Sequence, residues 1–351
     1  MTSPTPWLVV TTINPPNDAM RTLAEGSIDK GWNFVVIGDT KSPDTFDLPG
    51  SRFYSVDDQV GTGLAYAKEC PTRHYCRKNI GYLLAVQSGA THLVETDDDN
   101  IPLSSFFDLE AFTTDAPRST GAGWCNVYRY FDGGSSWPRG LPLDAVQADT
   151  KWMDAADADK GEACTPIIQY LADDNPDVDA IYRLVHELPM TFAQGRKIAM
   201  GSGSWCPFNS QATVWEPRAF PLLYLPAYCS FRMTDIWRSF VAQRVAWAQG
   251  WSVLFASPRV RQERNEHDLM RDFADEVPGY LHNRAIAETL DAVEIEPGAE
   301  SMPKAVRDCY AALVKLGVIE DKELPLLDAW LADLASAQAS SLETAGAGGA
   351  S

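Results

Sequence analysis

The chain has 351 residues, 45% hydrophobic and 22% charged, a globular composition sufficient for one large domain or two ordinary ones. A formal net charge of −19 repels nucleic-acid backbones and anionic membrane surfaces, which excludes both as expected partners. Seven cysteines without a CxxC pair exclude a zinc framework and a secreted disulfide scaffold.

Residues 7–13 (WLVVTTI) read as a buried strand closed by Asn14-Pro15-Pro16. Residues 18–30 carry Met20, Leu23, Ala24 and Ile28 at helical spacing, with Asp18 as the expected N-cap, and 32–37 (WNFVVI) read as a second strand ending at Gly38-Asp39. Strand, helix and strand in about 30 residues make a βαβ unit with a right-handed crossover. Strands that are apolar throughout imply a parallel sheet covered on both faces. Residues 52–56 read as a short third strand and 57–63 as a loop. The densest basic cluster of this acidic chain, Arg73, His74, Arg77 and Lys78, then runs into a helix over 80–88 capped by Gly89. A helix entrance with free N–H groups beside Arg77 and Lys78 suits phosphates; the same residues also suit an ordinary basic surface.

Residues 91–102 read THLVETDDDNIP, a short apolar strand running into Glu95, Asp97, Asp98 and Asp99. Burying such carboxylates bare costs several kcal/mol or more, and a cation among them removes that cost. Hard oxygen ligands suit Mg²⁺ or Mn²⁺, and open α/β sheets bind ligands at the carboxyl ends of their strands. A divalent-metal site holding a phosphorylated ligand is expected here, against the plainer alternative of a solvated acidic turn.

Further on, residues 104–112 are expected to be helical, 121–131 (GAGWCNVYRYF) a strand, and 132–142 a Gly/Trp/Pro loop of the kind that covers sites. Residues 163–171 and 178–184 read as strand and helix. The second acidic run, at 173–174 and 177–179, reads as a solvated loop or helix start because no apolar strand is evident before it. Residues 200–214 (MGSGSWCPFNSQATV) contain no phosphate-loop motif, but offer small and amide side chains suited to sugar hydroxyls or to turns. Trp124, Trp137 and Trp205 are candidates either for stacking on a sugar or for the core. Residues 230–249 form the clearest later helix. Asp235 in its first turns is a candidate base or acceptor ligand, or a surface Asp that complements the helix dipole. After a strand at 251–256 come RNEHD (264–268), where His267 is a candidate metal ligand, and amphipathic helices at 305–316 and 324–335.

VVTTIN (9–14), WNFVVIGDTKSP (32–43), YCRKNIGYLLAVQSGA (75–90), ETDDDNIP (95–102), CPFNSQATVW (206–215), PLLYLP (221–226) and RNEHD (264–268) resemble, in order and spacing, the STELLO family of glycosyltransferases over most of residues 7–285. The resemblance implies an α/β, GT-A-like, Rossmann-type, mostly parallel sheet flanked by helices (1–290). Beyond it, amphipathic spacing gives a C-terminal helical extension (291–336), about which the resemblance says little, and an Ala/Ser/Gly-rich composition gives a disordered tail (337–351). It implies a nucleotide-sugar donor, with a UDP-sugar favoured, Mn²⁺ or Mg²⁺ as cofactor, and a carbohydrate or other hydroxyl-bearing acceptor. A homo-oligomer is left open.

On the resemblance, Asp97, Asp99 and His267 would hold the metal, with Asp97 or Asp98 reaching the ribose or the metal's waters. Thr11, Thr12, Asn14 and Asp39 would surround base and ribose, Arg77 and Lys78 would face the diphosphate, and Asp235 would be the base if the reaction inverts. Unlike the plant Golgi members, the chain shows no apolar window of about 18 residues, so no transmembrane anchor is expected. Nor does its start have the basic flank of a signal peptide, and a cytoplasmic setting is the default. The rivals are a HAD-like phosphatase, whose D-x-D would follow the first strand, a sugar nucleotidylyltransferase, which would begin with a Gly-rich loop, and a catalytically inactive nucleotide-sugar- or carbohydrate-binding protein.

Overall fold

The computed structural model describes residues 5–134, 136–147, 160–263 and 268–347. Its first unit is the expected one: β1 (Pro6–Thr11), α1 (Asp18–Lys30) and β2 (Asn33–Ile37). The N-cap of α1 is Asn17 rather than Asp18, because the Asn17 side chain accepts the Met20 N–H and leaves Asp18 in the first turn. There follow β3 (Arg52–Tyr54), α2 (Val56–Gly61), α3 (Ala65–Glu69), α4 (Lys78–Gln87), β4 (His92–Thr96), β5 (Asn100–Pro102), β6 (Thr113–Ser119), β7 (Gly123–Trp124) and α5 (Tyr128–Asp132). The second half comprises β8 (Lys160–Cys164), β9 (Ile167–Asp173), α6 (Ala180–Val185), β10 (Lys197–Met200), β11 (Ser204–Trp205), β12 (Ala212–Trp215), α7 (Thr234–Ala248), β13 (Val253–Gln262), α8 (Leu269–Asp291), α9 (Met302–Leu316) and α10 (Glu323–Ala347).

Three local readings are corrected. Residues 57–63 lie largely in α2, which a reciprocal Ser55–Asp58 capping box starts. Residues 104–112 form turns rather than a helix, since Phe107 is drawn edge-on against Trp32 and Phe106 packs tilted beside it. Residues 121–131 hold only the two-residue β7 and then α5; Gly121 and Gly123, at φ 67° and 71°, turn the chain where a strand would have to run straight.

The main sheet runs β3-β2-β1-β4-β12-β9-β13-β10-β6-β8, with β5 paired to β13. Strands β3, β2, β1 and β4 are mutually parallel and form the Rossmann-type half of this α/β fold. Antiparallel partners enter at β12, while β9 and β13 pair parallel beyond it. Both faces are covered. Leu8, Val10, Phe34 and Val36 pack with Met20, Leu23 and Ala24 of α1, and Val9 and Val35 face the α4 side. On that side α4 lies so close that a Cβ at Gly81 would meet Val9 Cγ1 at 2.5 Å.

The C-terminal helices complete the same core: Leu313, Leu327 and Trp330 are fully buried in the cluster that holds Ile80, Leu83 and Trp237. Glu323 is buried where α10 begins, and its carboxylate accepts the N–H groups of Ala227 and Tyr228 and the Tyr224 hydroxyl. The last helix continues to Ala347, beyond the expected boundary at 336. Among the described residues no helix is long and apolar enough to cross a membrane.

Candidate functional site

The acidic run divides at the end of β4. Side chains alternate along a strand, and Glu95 turns into the core. There it is fully buried and ion-paired to Arg238 at 2.9 Å, and accepts the Trp215 indole N–H (2.9 Å) and the Tyr82 hydroxyl. Asp97, Asp98 and Asp99 fall past the strand end and line one cavity of about 780 Å³. The ends of β1 and β2 line the same cavity through Thr11, Thr12, Asn14 and Asp39, and so does Asp235 of α7.

Each aspartate has a different setting. Asp98 accepts from the Thr12 hydroxyl (2.5 Å) and the Asn14 amide (3.1 Å), while its carbonyl accepts the Asn17 amide (2.7 Å). Those bonds tie the end of β4 to the end of β1. Asp97 accepts the Tyr75 hydroxyl at 2.6 Å and the Lys78 ammonium at 3.1 Å; burial pushes its carboxyl up, and those two partners oppose the shift. Among the described residues the Asp99 carboxylate accepts from the Gln262 amide, 3.2 Å from each oxygen. Burial, then the neighbouring charge of Asp97, push the Asp99 carboxyl up to about 6, with Gln262 opposing and Asp98 adding.

The two basic residues expected to face a diphosphate are engaged inside the protein. Arg77 is 1% exposed; its guanidinium grips Gln59 Oε1 at 2.9 and 2.5 Å and the Cys70 carbonyl at 3.1 Å. Gln59 in turn donates to the Gly38 and Tyr54 carbonyls, so Arg77 braces the ends of β2 and β3. Lys78 is wholly buried and stands behind Asp97, donating also to the Thr96 carbonyl (2.7 Å) and to the Tyr75 hydroxyl (2.6 Å). Asp39 accepts the His74 backbone N–H at 3.0 Å, joining the β2 end to the turn before α4.

In the same cavity Asp235 is bound by both terminal nitrogens of Arg139, at 3.1 and 2.9 Å, and is linked to Asp97 through the Ser210 and Tyr75 hydroxyls. Burial alone would raise its carboxyl, but the Arg139 charge and hydrogen bonds outweigh that and hold it below the usual carboxylate range. Arg139 also grips Asp177 at 2.7 and 2.9 Å, and Asp177 accepts the Asn209 amide at 2.9 Å. Arg139 and Asp177 were not singled out from sequence. The signal for Asp177 was present: its acidic run does follow an apolar strand, β9, buried from Ile167 to Ala172, which corrects the reading of a solvated loop. The layout is that of β4 and its aspartates over again. Asn209 and Gln211 of the 200–214 segment reach the cavity wall. Trp124, Trp137 and Trp205 belong to the core: Trp205 packs on Trp124 and Trp247, and Trp137 donates to Asp179.

Among the described residues no three His, Cys, Asp or Glu side chains converge as a metal-binding group. His267 lies outside the described residues. The donor chemistry at Asp97 and Asp99 nevertheless fits a hard divalent ion. Mg²⁺ is typically held by one or two carboxylates, with waters and phosphate oxygens completing its shell, and no cation among the described residues compensates Asp99.

An α/β sheet whose strand ends carry an aspartate triplet over a cavity has a GT-A-like layout. The family model for STELLO glycosyltransferases matches residues 232–341. Two Arabidopsis thaliana proteins, named "Probable glycosyltransferase STELLO1" and "Probable glycosyltransferase STELLO2", are each 27% identical to the chain over 347 and 348 residues, covering 93% of it and 44% of each relative. The chain is STELLO-like in sequence, and it spans less than half the length of these relatives. The family match takes in Asp235 and both C-terminal helices, so those helices are part of what the chain shares with the family rather than an addition to it.

Proposed function

We propose that the chain is a metal-dependent glycosyltransferase that moves a sugar from a nucleotide-sugar, with a UDP-sugar as the first choice, to an acceptor hydroxyl. One observation carries the reading: the three aspartates beyond β4 share a single cavity with the ends of β1 and β2 and with Asp235. That is one space, about 780 Å³, lined by the aspartate triplet, the β1 and β2 ends and a further carboxylate.

In this reading Thr11, Thr12, Asn14 and Asp39 surround base and ribose. Thr12 and Asn14 also fix Asp98, and Tyr75 and Lys78 fix Asp97, so the donor end is organised before ligand arrives. Asp99, with Asp97 beside it, would hold Mn²⁺ or Mg²⁺, whose charge stabilises the nucleoside diphosphate as the sugar–phosphate bond breaks. Arg77 and Lys78 serve this end by bracing it. A general base works best with a pKa near the operating pH. Asp235, held low by Arg139, is a weak base, better suited to accepting a hydrogen bond from the acceptor hydroxyl than to removing its proton early.

Calorimetric titration with UDP, GDP and their common sugars, with and without Mn²⁺, tests the proposal beside an Asp99→Ala variant. Metal-requiring binding of one nucleotide, lost in the variant, supports the donor site and names its base. Metal-independent binding, or none, overturns it. Metal-dependent binding without turnover on acceptor panels would instead identify a nucleotide-sugar-binding protein.

A further inference from the structure

The turn that carries His74 and Tyr75 to the cavity wall begins and ends in cysteine: CPTRHYC, residues 70–76. The two sulfurs are 3.7 Å apart, with Cys70 6% exposed and Cys76 fully buried. A disulfide bond is about 2.05 Å long, so each sulfur needs to move only about 0.8 Å, within reach of side-chain rotation. The other five cysteines are free as well.

The surroundings favour one sulfur as the attacking group. Burial alone would raise the Cys70 thiol, but hydrogen bonds with Cys76 and Tyr66 and the charge of Arg77 bring it below the ordinary thiol value. Cys76 is pushed up, chiefly by burial. The backbone between them is under tension: Arg73 is a non-glycine residue at φ 58°. The Cys70 carbonyl is the one Arg77 grips, and the His74 N–H is bound by Asp39. A bond across the base of this turn therefore acts on the wall of the candidate donor site.

We infer that Cys70 and Cys76 are a reversible oxidation site, a dithiol that closes to a disulfide and clamps the 71–75 turn. The oxidant is hydrogen peroxide, small enough to reach a sulfur this little exposed. The Cys70 thiolate attacks one peroxide oxygen, the O–O bond breaks, and hydroxide leaves to become water, giving a sulfenic acid. Cys76 sulfur then attacks the Cys70 sulfur, the S–O bond breaks and a second water leaves. Two thiols are oxidised and one peroxide is reduced to two waters.

The test uses the intact protein and hydrogen peroxide, followed by denaturation, alkylation and tryptic mass spectrometry. Cleavage after Lys68, Arg73 and Arg77 puts the cysteines on separate peptides, residues 69–73 and 74–77. The expected result is a linked pair about 2 Da lighter than the sum of the two thiol peptides, restored to separate peptides by dithiothreitol. Alkylatable thiols fall from seven to five. In hydrogen exchange on the oxidised protein, the 72–75 amides slow by about threefold or more relative to the reduced protein. If Cys70 and Cys76 stay alkylatable, if Cys70 passes irreversibly to sulfinic acid, or if the link forms only in urea, the inference fails. None of these outcomes depends on nucleotide-sugar binding, so they separate this inference from the proposed function.

Discussion

Arg139→Met removes the one cation shared by Asp177 and Asp235 while keeping most of the side-chain volume. Arg139 is 6% exposed and the two carboxylates 13% and 12%, so little water can replace it. Stranding one partner of a buried pair costs about 3–5 kcal/mol. Unfolding entropy of about 2.1 cal/mol/K per residue makes each kcal/mol worth about 1.4 °C in a chain this long, so Tm should fall by about 4–7 °C at pH 7.5. The pH dependence gives the mechanism. In the wild type, Asp235 is depressed, so its stabilisation is present above about pH 4 and is lost as pH falls through the folded value. In the variant burial is opposed only by the more distant charges of Arg238 and Arg232, so the carboxyl moves up from its wild-type position and the penalty of ionising it shrinks in acid and grows as pH rises. Thermal melts of both proteins from pH 4 to 8 should therefore draw closer toward the acid end, and adding Asp235→Asn to the variant should recover part of the loss. A deficit under about 1 kcal/mol, or one independent of pH, would refute the reasoning.

Asp99, raised to about 6, is protonated below that pH, so calorimetric Mn²⁺ affinity should be flat above pH 7 and fall by about tenfold per unit below 6. The proton release that accompanies binding near pH 6 should disappear in Asp99→Asn. Affinity unchanged from pH 5 to 7.5 would contradict this. Gly81→Ala places a Cβ 2.5 Å from Val9 Cγ1 and 3.0 Å from Ile37 Cγ1. The gain of up to about 1 kcal/mol in helix propensity should be outweighed, leaving a net loss of about 1–2 kcal/mol in the urea midpoint analysis. Glu323→Ala leaves the Ala227 and Tyr228 N–H groups and the Tyr224 hydroxyl without their acceptor. Stability should drop by about 2–4 kcal/mol, and hydrogen exchange at residues 224–228 should rise; an unchanged denaturation curve would sever the C-terminal helices from the core.

What was legible in the sequence was local. The strands β1 and β2, the helix α1 between them and the apolar strand before Asp97 are written in runs whose neighbours in sequence are also their neighbours in space. Where tertiary packing decides, the reading failed: Phe106 and Phe107 serve Trp32 rather than a helical stripe. The site followed the same rule. Asp97, Asp98 and Asp99 were visible as a cluster, and Thr12, Asn14, Asp39 and Asp235 do reach the same cavity. Their partners were not visible, because Arg139 lies 38 residues from Asp177 and 96 from Asp235. Glu95 looked like one more member of the acidic cluster until Arg238, 143 residues on, drew it to the opposite face.

The pairing of charges ranks groups that the sequence left equivalent. Four acids stood in one run; Glu95 has an arginine, Asp97 a lysine, and Asp98 a hydroxyl and an amide. Among the described residues Asp99 has a single amide against the repulsion of its neighbours. A protein of net charge −19 gains nothing from leaving one such group half-buried and poorly compensated, unless something that arrives later compensates it. At Asp177 and Asp235 the same scarcity is resolved differently, with one arginine shared by two aspartates. Under the proposed function, this asymmetry would direct an incoming cation to the Asp99 side and leave Asp235, already neutralised by Arg139, to meet an uncharged hydroxyl. Donor and acceptor ends would then differ by where the protein has placed its few buried cations, rather than by where it has placed its many acids.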